Sequence, residues 1–305
     1  MDADPKAVLV TGARGFVGRV LRNALYRAGF DVLPLDSPGP SSIEGGPPGV
    51  GPEIAIDITD SERVRSLFKA RRIASIVHLA AILPTAAQRN PARATQVNVA
   101  GSLNLLEMAR EFGVRRFVFG SSLSVYGTWP GEHVVSEADS ASPEDLYGAA
   151  KLYVEQLGEA YKQTHGLEFV SLRIGRVVGP GSRSNTSAWR SQIFECMDEG
   201  SGKIVIPYAD SERILLVHVE DAGRMLSELV RATQLGHTVY NAACESMVVG
   251  ELKSEIERLN PRVRVELEGQ SVVGNPRRAD WSRFGEEFGF KVPPIFERLA
   301  GAMRD

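Results

Sequence analysis

The chain of 305 residues is 43% hydrophobic and carries a formal net charge of −3, with a pI of about 6.0. That length suits one large or two closely associated domains, and the charge offers no electrostatic case for binding nucleic acid or an anionic membrane. No apolar run approaches the ~20 residues that cross a bilayer. The first residues do not form a secretory signal, and the five histidines lack metal-ligand spacing. We therefore expect no nucleic-acid, membrane or metal partner.

The chain contains two cysteines, Cys196 and Cys244, which lie far apart in the sequence. This count does not suggest a disulfide framework, and it favours a reducing compartment. We expect a cytoplasmic protein.

Short apolar runs alternate with helical segments from the N-terminus to about residue 173. The strands are predicted at 6–11, 31–36, 53–57, 75–80, 116–120 and 169–173, and the helices at 16–28, 61–70, 91–112 and 146–164. Near-continuous apolar strands separated by helices predict a parallel sheet covered on both faces. Residues 37–52 interrupt this rhythm with five prolines and five glycines, so a loop is expected there. Further along, helices are predicted at 189–197 and 220–233, and a strand at 237–240.

The segment Thr11-Gly-Ala-Arg-Gly-Phe-Val-Gly18 follows the first predicted strand and opens the first helix. Glycines 12, 15 and 18 in that setting let the backbone approach a pyrophosphate at the helix N-terminus. A lone glycine triplet is weak, but the strand–turn–helix context is the one that dinucleotide binding requires.

An acid at the end of the second strand indicates which dinucleotide binds. Asp36 can accept hydrogen bonds from the ribose hydroxyls of NAD and would repel the 2′-phosphate of NADP. Arg14 leaves some room for NADP, because a guanidinium in the glycine loop can pair with a phosphate. Asp57, after the third strand, is expected to meet the adenine end, with a helix cap as the alternative; Asp60 suits the cap better.

Tyr147 and Lys151 lie four residues apart near the start of a predicted helix, and so on the same face. A cation beside a phenol favours the phenolate, which would make Tyr147 a general base. By itself so short a pattern fits an exposed tyrosine and lysine on an ordinary amphipathic helix better than it fits a catalytic pair.

Several motifs then occur in one order: HLAA at 78–81, VNVAG at 97–101, SSLSVYG at 121–127 and YGAAK at 147–151. With the glycine loop, they resemble an extended short-chain dehydrogenase/reductase of the NAD-dependent epimerase/dehydratase family. The resemblance is clear to about residue 181 and fainter beyond it. It implies an α/β Rossmann-like fold, a doubly wound parallel sheet with a smaller C-terminal α/β substrate lobe. Residues 1–173 and a returning segment at about 214–244 would bind NAD, and 174–213 and 245–305 would bind substrate.

The resemblance also implies roles for individual residues. Tyr147 would be the catalytic acid/base, Lys151 would lower its pKa, and Ser122 would bond the reacting oxygen, with Ser121 and Ser124 as alternatives. Ser124 and Tyr126 would contact substrate, and Asn98 would orient the active-site helix or the cofactor. The cofactor-binding set would be Gly12, Gly15, Phe16, Val17, Gly18, Asp36, Asp57, Ile58, Leu79, Ala80, Ala81, Asn98, Tyr147 and Lys151.

Departures from the family's patterns narrow the reaction. Leu123 and Ser124 stand where the family's dehydratases have an acid pair, which disfavours water elimination. Sugar-nucleotide epimerases usually have an asparagine where Arg176 stands, and an arginine where Ile214 stands, one step after Arg213. These departures put a nucleotide-sugar substrate in doubt.

Arginines at 176, 183, 190 and 213 can bind an anionic substrate, a carboxylate or a phosphate, unless they are ordinary surface residues; we place Arg176, Arg183 and Arg213 in the substrate site. Three functions stay open. The family as a whole places a sugar or sugar-nucleotide epimerase first. An NAD-dependent dehydrogenase of a free sugar, sugar acid or related hydroxy compound is the alternative, and a catalytically silent NAD-binding regulatory protein is the third. The resemblance also implies a homodimer in which helices 91–112 and 146–164 pair as a four-helix bundle.

Overall fold

The computed structural model describes residues 7–39, 52–182 and 187–303. The described strands are β1 Ala7–Thr11, β2 Asp31–Asp36, β3 Ile54–Ala55, β4 Ser75–His78, β5 Arg116–Ser122, β6 Glu168–Ile174, β7 Arg176–Val178, β8 Gly202–Tyr208, β9 Arg213–His218, β10 Val239–Asn241, β11 Glu245–Val248 and β12 Val263–Gln270. The described helices are α1 Phe16–Arg27, α2 Ser61–Ala70, α3 Pro84–Arg89, α4 Pro91–Thr95, α5 Ser102–Glu111, α6 Leu146–His165, α7 Trp189–Glu199, α8 Val219–Arg231, α9 Val249–Leu259, α10 Ser282–Phe288 and α11 Ile295–Gly301.

Seven parallel strands form the main sheet, in the order β10-β6-β5-β4-β1-β2-β3. The order runs outwards in both directions from β1 and β4, as a doubly wound sheet does. All five residues of β1 are buried, because the sheet is covered on both faces. Val8 and Val10 pack into the core beneath α1 and α8, while Ala7 and Leu9 pack beneath α2, α5 and α6. This is the predicted Rossmann-like architecture.

The predicted helix at 91–112 is less regular than its apolar pattern suggests. It consists of α4, a π-helical turn at Gln96–Gly101 and α5. A π-helical turn widens the helix locally and is often found at functional sites. The turn carries Asn98, one of the predicted site residues.

A second core lies beyond the main sheet. Strands β7, β9 and β11 form a three-stranded sheet, and β8 pairs in parallel with β12. The apolar pattern of the sequence predicted none of these strands individually. The family resemblance implied only that this region forms a smaller α/β lobe. Strand β9 connects the two cores, because Leu215 and Val217 pack with the main sheet while Ile214 and Leu216 pack in the second core.

This topology bears on the predicted lobes. The returning segment is predicted at about 214–244; within it, β9 pairs in the small sheet, α8 packs against α1, and β10 joins the main sheet. Most of the predicted loop at 37–52 lies outside the described residues. Among the described helices, none has the length and apolar character needed to cross a membrane.

Candidate active site

The glycine loop is built for a close backbone approach. Gly12 has φ +68°, and a Cβ atom there would lie 2.7 Å from the nitrogen of Ala80 and 2.8 Å from the carbonyl carbon of Leu79. The loop therefore lies directly against the segment that follows β4. Helix α1 begins at Phe16 with no side-chain cap among the described residues. Its first N–H groups suit a pyrophosphate, so the glycine loop fits the predicted dinucleotide.

Asp36 is held in place at the end of β2. Its carboxylate accepts hydrogen bonds from the backbone nitrogens of Arg14 and Ser37, both at 2.8 Å. The Arg14 guanidinium pairs with Asp36 at 3.4 Å and with Glu53 at 3.3 Å. Two carboxylates thus offset the charge of Arg14, which favours the ribose hydroxyls of NAD over the phosphate of NADP.

Asp57 uses its carboxylate locally. It accepts from the backbone nitrogen of Thr59 at 2.9 Å and from its hydroxyl at 2.8 Å, and it pairs with Arg93. Burial acts to raise the pKa of Asp57, but the bonds from Thr59 and the charge of Arg93 lower it overall. Asp60 caps α2 by accepting a hydrogen bond from the backbone nitrogen of Arg63, so Asp60 has the cap role that it was expected to suit better than Asp57. Any adenine contact of Asp57 is therefore an additional role.

The side chain of Asn98 holds the loop that follows β4. Its side chain accepts from the nitrogen of Ile82 at 2.7 Å and donates to the oxygen of Ile82 at 2.9 Å. This pair of bonds ties the π-helical turn to the segment that contacts the glycine loop. The role of Asn98 in orienting the active-site helix or the cofactor stays a prediction.

The three serines at the end of β5 and in the turn after it have different partners. Ser121 donates to the buried carboxylate of Glu155 at 2.5 Å, so its proton is already used. Ser122 accepts from the backbone nitrogen of Ser124 at 3.2 Å, and the Ser124 hydroxyl donates to Ser122 at 2.9 Å. The proton of Ser122 remains available to a substrate oxygen.

Helix α6 brings Tyr147 and Lys151 to these serines. Asp145 caps the helix through Gly148 at 2.6 Å. A Cβ atom on Gly148 would lie 2.7 Å from the carbonyl oxygen of Ser124. The start of α6 therefore packs directly against the turn Leu123–Tyr126, which we call the serine turn. Lys151 is buried and donates from Nζ to the carbonyl oxygen of Gly120 at 2.6 Å. Its Nζ lies 5.5 Å from the centroid of the Tyr147 ring.

The pKa of Tyr147 is raised, not lowered as the resemblance implied. Burial is the main cause, Asp145 adds to it, and Arg190 acts in the opposite direction. Burial lowers the pKa of Lys151 to about 7, against the effect of Glu155. The positive charge of Lys151 would favour the phenolate, but this ammonium group is easily deprotonated and bonds Gly120. Its effect therefore does not outweigh the cost of desolvating the phenolate of Tyr147. Burial therefore favours the neutral phenol of Tyr147.

Tyr126 is predicted to contact substrate, but the structure buries its side chain in the core. Its side chain is 1% exposed, and its hydroxyl bonds the carbonyl oxygen of Ser136 and the side chain of Asn241, both at 2.9 Å. The guanidinium of Arg173 lies 4.7 Å from the centre of its ring. Tyr126 therefore points from the serine turn into the core, where its bonds hold that turn in place.

Sequence reasoning missed Glu155, which lies one turn after Lys151 on the same face of α6. It is buried and bonds Ser121 and Arg173, the latter through 2.7 Å and 3.1 Å contacts. The signal was available as a carboxylate at helical spacing from the predicted catalytic pair, and its partners come from neighbouring strands.

The predicted substrate arginines are placed differently from one another. Arg176 is buried at the start of β7, beyond the carboxyl end of β6. Arg213 begins β9 and makes long contacts with Ser246 at 3.4 and 3.5 Å. Arg183 lies outside the described residues. Arg190, at the start of α7, is the arginine whose charge reaches Tyr147.

Comparisons with known proteins identify the family of the chain. The model of the NAD-dependent epimerase/dehydratase family matches residues 8–243. The mitochondrial L-threonine 3-dehydrogenase of Bos taurus is 29% identical over 303 residues, covering 95% of this chain and 79% of that protein. UDP-glucose 4-epimerase of Lacticaseibacillus casei is 32% identical over 177 residues, covering 56% of this chain and 52% of the epimerase.

A solved structure extends the likeness to the whole fold. The UDP-glucose 4-epimerase of Thermus thermophilus in complex with NAD superposes with a TM-score of 0.83 and 25% identity, over 96% of each chain. The predicted family, fold and cofactor are confirmed. The chain belongs to the NAD-dependent epimerase/dehydratase family and is an NAD-dependent enzyme of the extended short-chain dehydrogenase/reductase type.

Proposed function

We propose that the protein is an NAD-dependent dehydrogenase that oxidises a secondary hydroxyl group of a small molecule. The observation that carries this proposal is the extent of the match to L-threonine 3-dehydrogenase. That match covers 95% of this chain and so includes most of the second lobe, where substrate would bind. The match to the L. casei epimerase covers 56%. Arg176, at the position where epimerases usually have asparagine, supports the same choice.

The proposed chemistry uses three side chains of the serine turn and α6. NAD, when bound, accepts a hydride from the carbon that carries the hydroxyl group. Ser122 donates a hydrogen bond to the reacting oxygen, and Tyr147 takes the hydroxyl proton. Lys151 holds the end of β5 through Gly120 and places a positive charge near the phenol. Oxidation needs the phenolate of Tyr147, so its raised pKa predicts an oxidation rate that increases with pH above 7.

The cofactor assay separates dehydrogenase from epimerase. Purified protein would be mixed with excess NAD⁺ and pools of hydroxy acids, amino acids, sugars, sugar acids and nucleotide sugars, and absorbance followed at 340 nm. We expect NADH in proportion to substrate consumed. Interconversion of a nucleotide sugar by NMR without net NADH would instead establish the epimerase, which the full-length superposition on the T. thermophilus enzyme keeps as the second candidate.

The role of Tyr147 has its own test. Tyr147→Phe should lower turnover by about 10²–10⁴-fold, the usual contribution of a general acid or base, while NAD binding measured by NADH fluorescence stays unchanged. Tyr26→Phe, on the exposed end of α1, is the matched control and should keep full activity. Full turnover in the Tyr147 variant would refute the mechanism.

We also propose a cytoplasmic location, which the two buried, free cysteines support, and a homodimer formed through α5 and α6. Leu103 on α5 and Tyr153 on α6 are 37% and 50% exposed. Apolar side chains with this degree of exposure on two neighbouring helices suit contact with a second copy of the chain.

A further inference from the structure

Two arginines from separate elements meet at one tyrosine of the second lobe. Arg176 on β7 donates from Nε to the hydroxyl of Tyr208 at 3.1 Å, and its guanidinium lies 5.2 Å from the centre of the Tyr208 ring. The Tyr208 phenol also acts on Arg190, at the start of α7. Trp189 packs edge-on against Tyr208 and lies beside the guanidinium of Arg190. The aromatic rings therefore hold both guanidinium groups in one place.

Neither arginine has a carboxylate partner within the described part of the chain. Two other buried arginines do have one: Arg116 pairs with Glu168, and Arg173 with Glu155. The Nε of Arg190 is enclosed and has no hydrogen-bond partner among the described residues. Burial, followed by the charge of Arg176, lowers the pKa of Arg190 to about 10. Two like charges held this way repel each other, and an anion that contacts both would remove the repulsion.

The pair is close to the proposed reacting group. The charge of Arg190 acts on Tyr147, and Tyr147 acts in return on Arg190. Strands β5 and β6 pair with Ser122 opposite Ile174, two residues before Arg176, so the arginine pair lies at the same end of the sheet as the catalytic serine. An anion on the pair and a hydroxyl group at Tyr147 can therefore belong to one small molecule.

We propose that Arg176 and Arg190, held by Tyr208, bind the carboxylate of a small hydroxy acid whose hydroxyl group reacts at Tyr147. This inference rests on the proposed dehydrogenase function and names its substrate class. A carboxylate has two oxygens in one plane, and the terminal nitrogens of a guanidinium match them in pairs. Nε of Arg176 is already used by Tyr208, which leaves the terminal nitrogens of Arg176 for the substrate.

Binding of an unreactive anion tests the site apart from catalysis. NAD-loaded protein would be titrated calorimetrically with malonate, with its neutral analogue malonamide and with inorganic phosphate. We expect malonate to bind, malonamide not to bind, and malonate affinity to fall at least tenfold in Arg176→Gln and in Arg190→Gln. Arg27→Gln, an exposed arginine of α1, is the matched control and should bind as the unaltered protein does. NADH fluorescence in each variant verifies that it is folded.

The outcomes separate the two proposals. No malonate binding, or equal binding by the arginine variants, would overturn the carboxylate site, and tighter binding of phosphate than of malonate would overturn the assignment to a carboxylate. A parallel assay would compare NADH formation from 3-hydroxybutyrate and L-threonine with that from 1,3-butanediol and threoninol, and we expect the acids to be preferred at least tenfold. Preference for the analogues that lack a carboxylate would contradict the inference but leave the dehydrogenase. Arginine-dependent malonate binding in a protein that forms no NADH with any pool would refute the dehydrogenase and support the anion site.

Discussion

His78 shows how much one buried side chain can hold together. The Ser102 hydroxyl donates to the carbonyl of Asn98 at 2.7 Å, so it accepts from Nε2 of His78 at 2.8 Å. The other ring nitrogen, Nδ1, then accepts from the hydroxyl of Thr11 at 2.7 Å. A neutral histidine thus joins the end of β1, β4 and the start of α5.

The buried ring predicts acid sensitivity. Burial lowers the pKa of His78 to about 3. Between pH 6.5 and pH 3, this histidine is therefore protonated in the unfolded chain but neutral in the folded protein. Stability is therefore lost as pH falls below 6.5, by roughly 3 kcal/mol between pH 6.5 and 4 from this residue. His78→Asn should show a correspondingly smaller loss of unfolding free energy between pH 7 and 4, measured with urea. His165→Asn, an exposed change, should keep the full slope; an equal slope in both variants would contradict the prediction.

At the scale of elements, α6 is fixed to the sheet by charge as well as by packing. Glu155 on the helix pairs with Arg173 on β6, and both side chains are buried. The same carboxylate accepts from Ser121 on β5. Lys151 lies one turn and Tyr147 two turns before Glu155 on the same helix, so this network sets the position of the proposed catalytic pair.

Removing one partner of that buried pair should be costly. Glu155→Ala leaves the Arg173 guanidinium buried without its carboxylate, and we expect unfolding free energy to fall by about 3–5 kcal/mol. The double variant Glu155→Met with Arg173→Met should lose less than the sum of the two single methionine changes, which a double-mutant cycle in urea would measure. Glu159→Ala, whose bond to Gln163 is exposed, should change stability by about 0.5 kcal/mol or less. Additive losses in the cycle would mean that the pair is not coupled.

At the scale of the whole molecule, the apolar faces of α5 and α6 bear on assembly. The proposed homodimer predicts that Leu103→Asp shifts the protein towards the monomer, because a charge would be buried against the second copy. Light scattering after size-exclusion chromatography would measure the mass. Val273→Asp alters a more exposed apolar residue, 69% exposed in the second lobe, and should leave the mass unchanged. A monomeric unaltered protein would refute the dimer.

Much of the main sheet could be predicted because local patterns determine it. Strand β2 and helix α2 have the predicted bounds, since apolar runs and the Asp60 cap are properties of neighbouring residues. The strands of the second lobe could not be predicted in the same way. Strand β12 does alternate apolar and charged residues from Val263 to Glu266, but its partner β8 lies about sixty residues earlier, and no local pattern identifies that pairing.

The sequence by itself determined the glycine loop, the acid at the end of β2, and the spacing of Tyr147 and Lys151, because each depends on residues close together in the chain. Only the tertiary structure decided the environment of those groups. It buried Tyr126 in the core, raised the pKa of Tyr147, and brought Arg176, Arg190 and Tyr208 together from three elements. Desolvation and charge depend on neighbours that are distant in sequence, so local patterns do not reveal them.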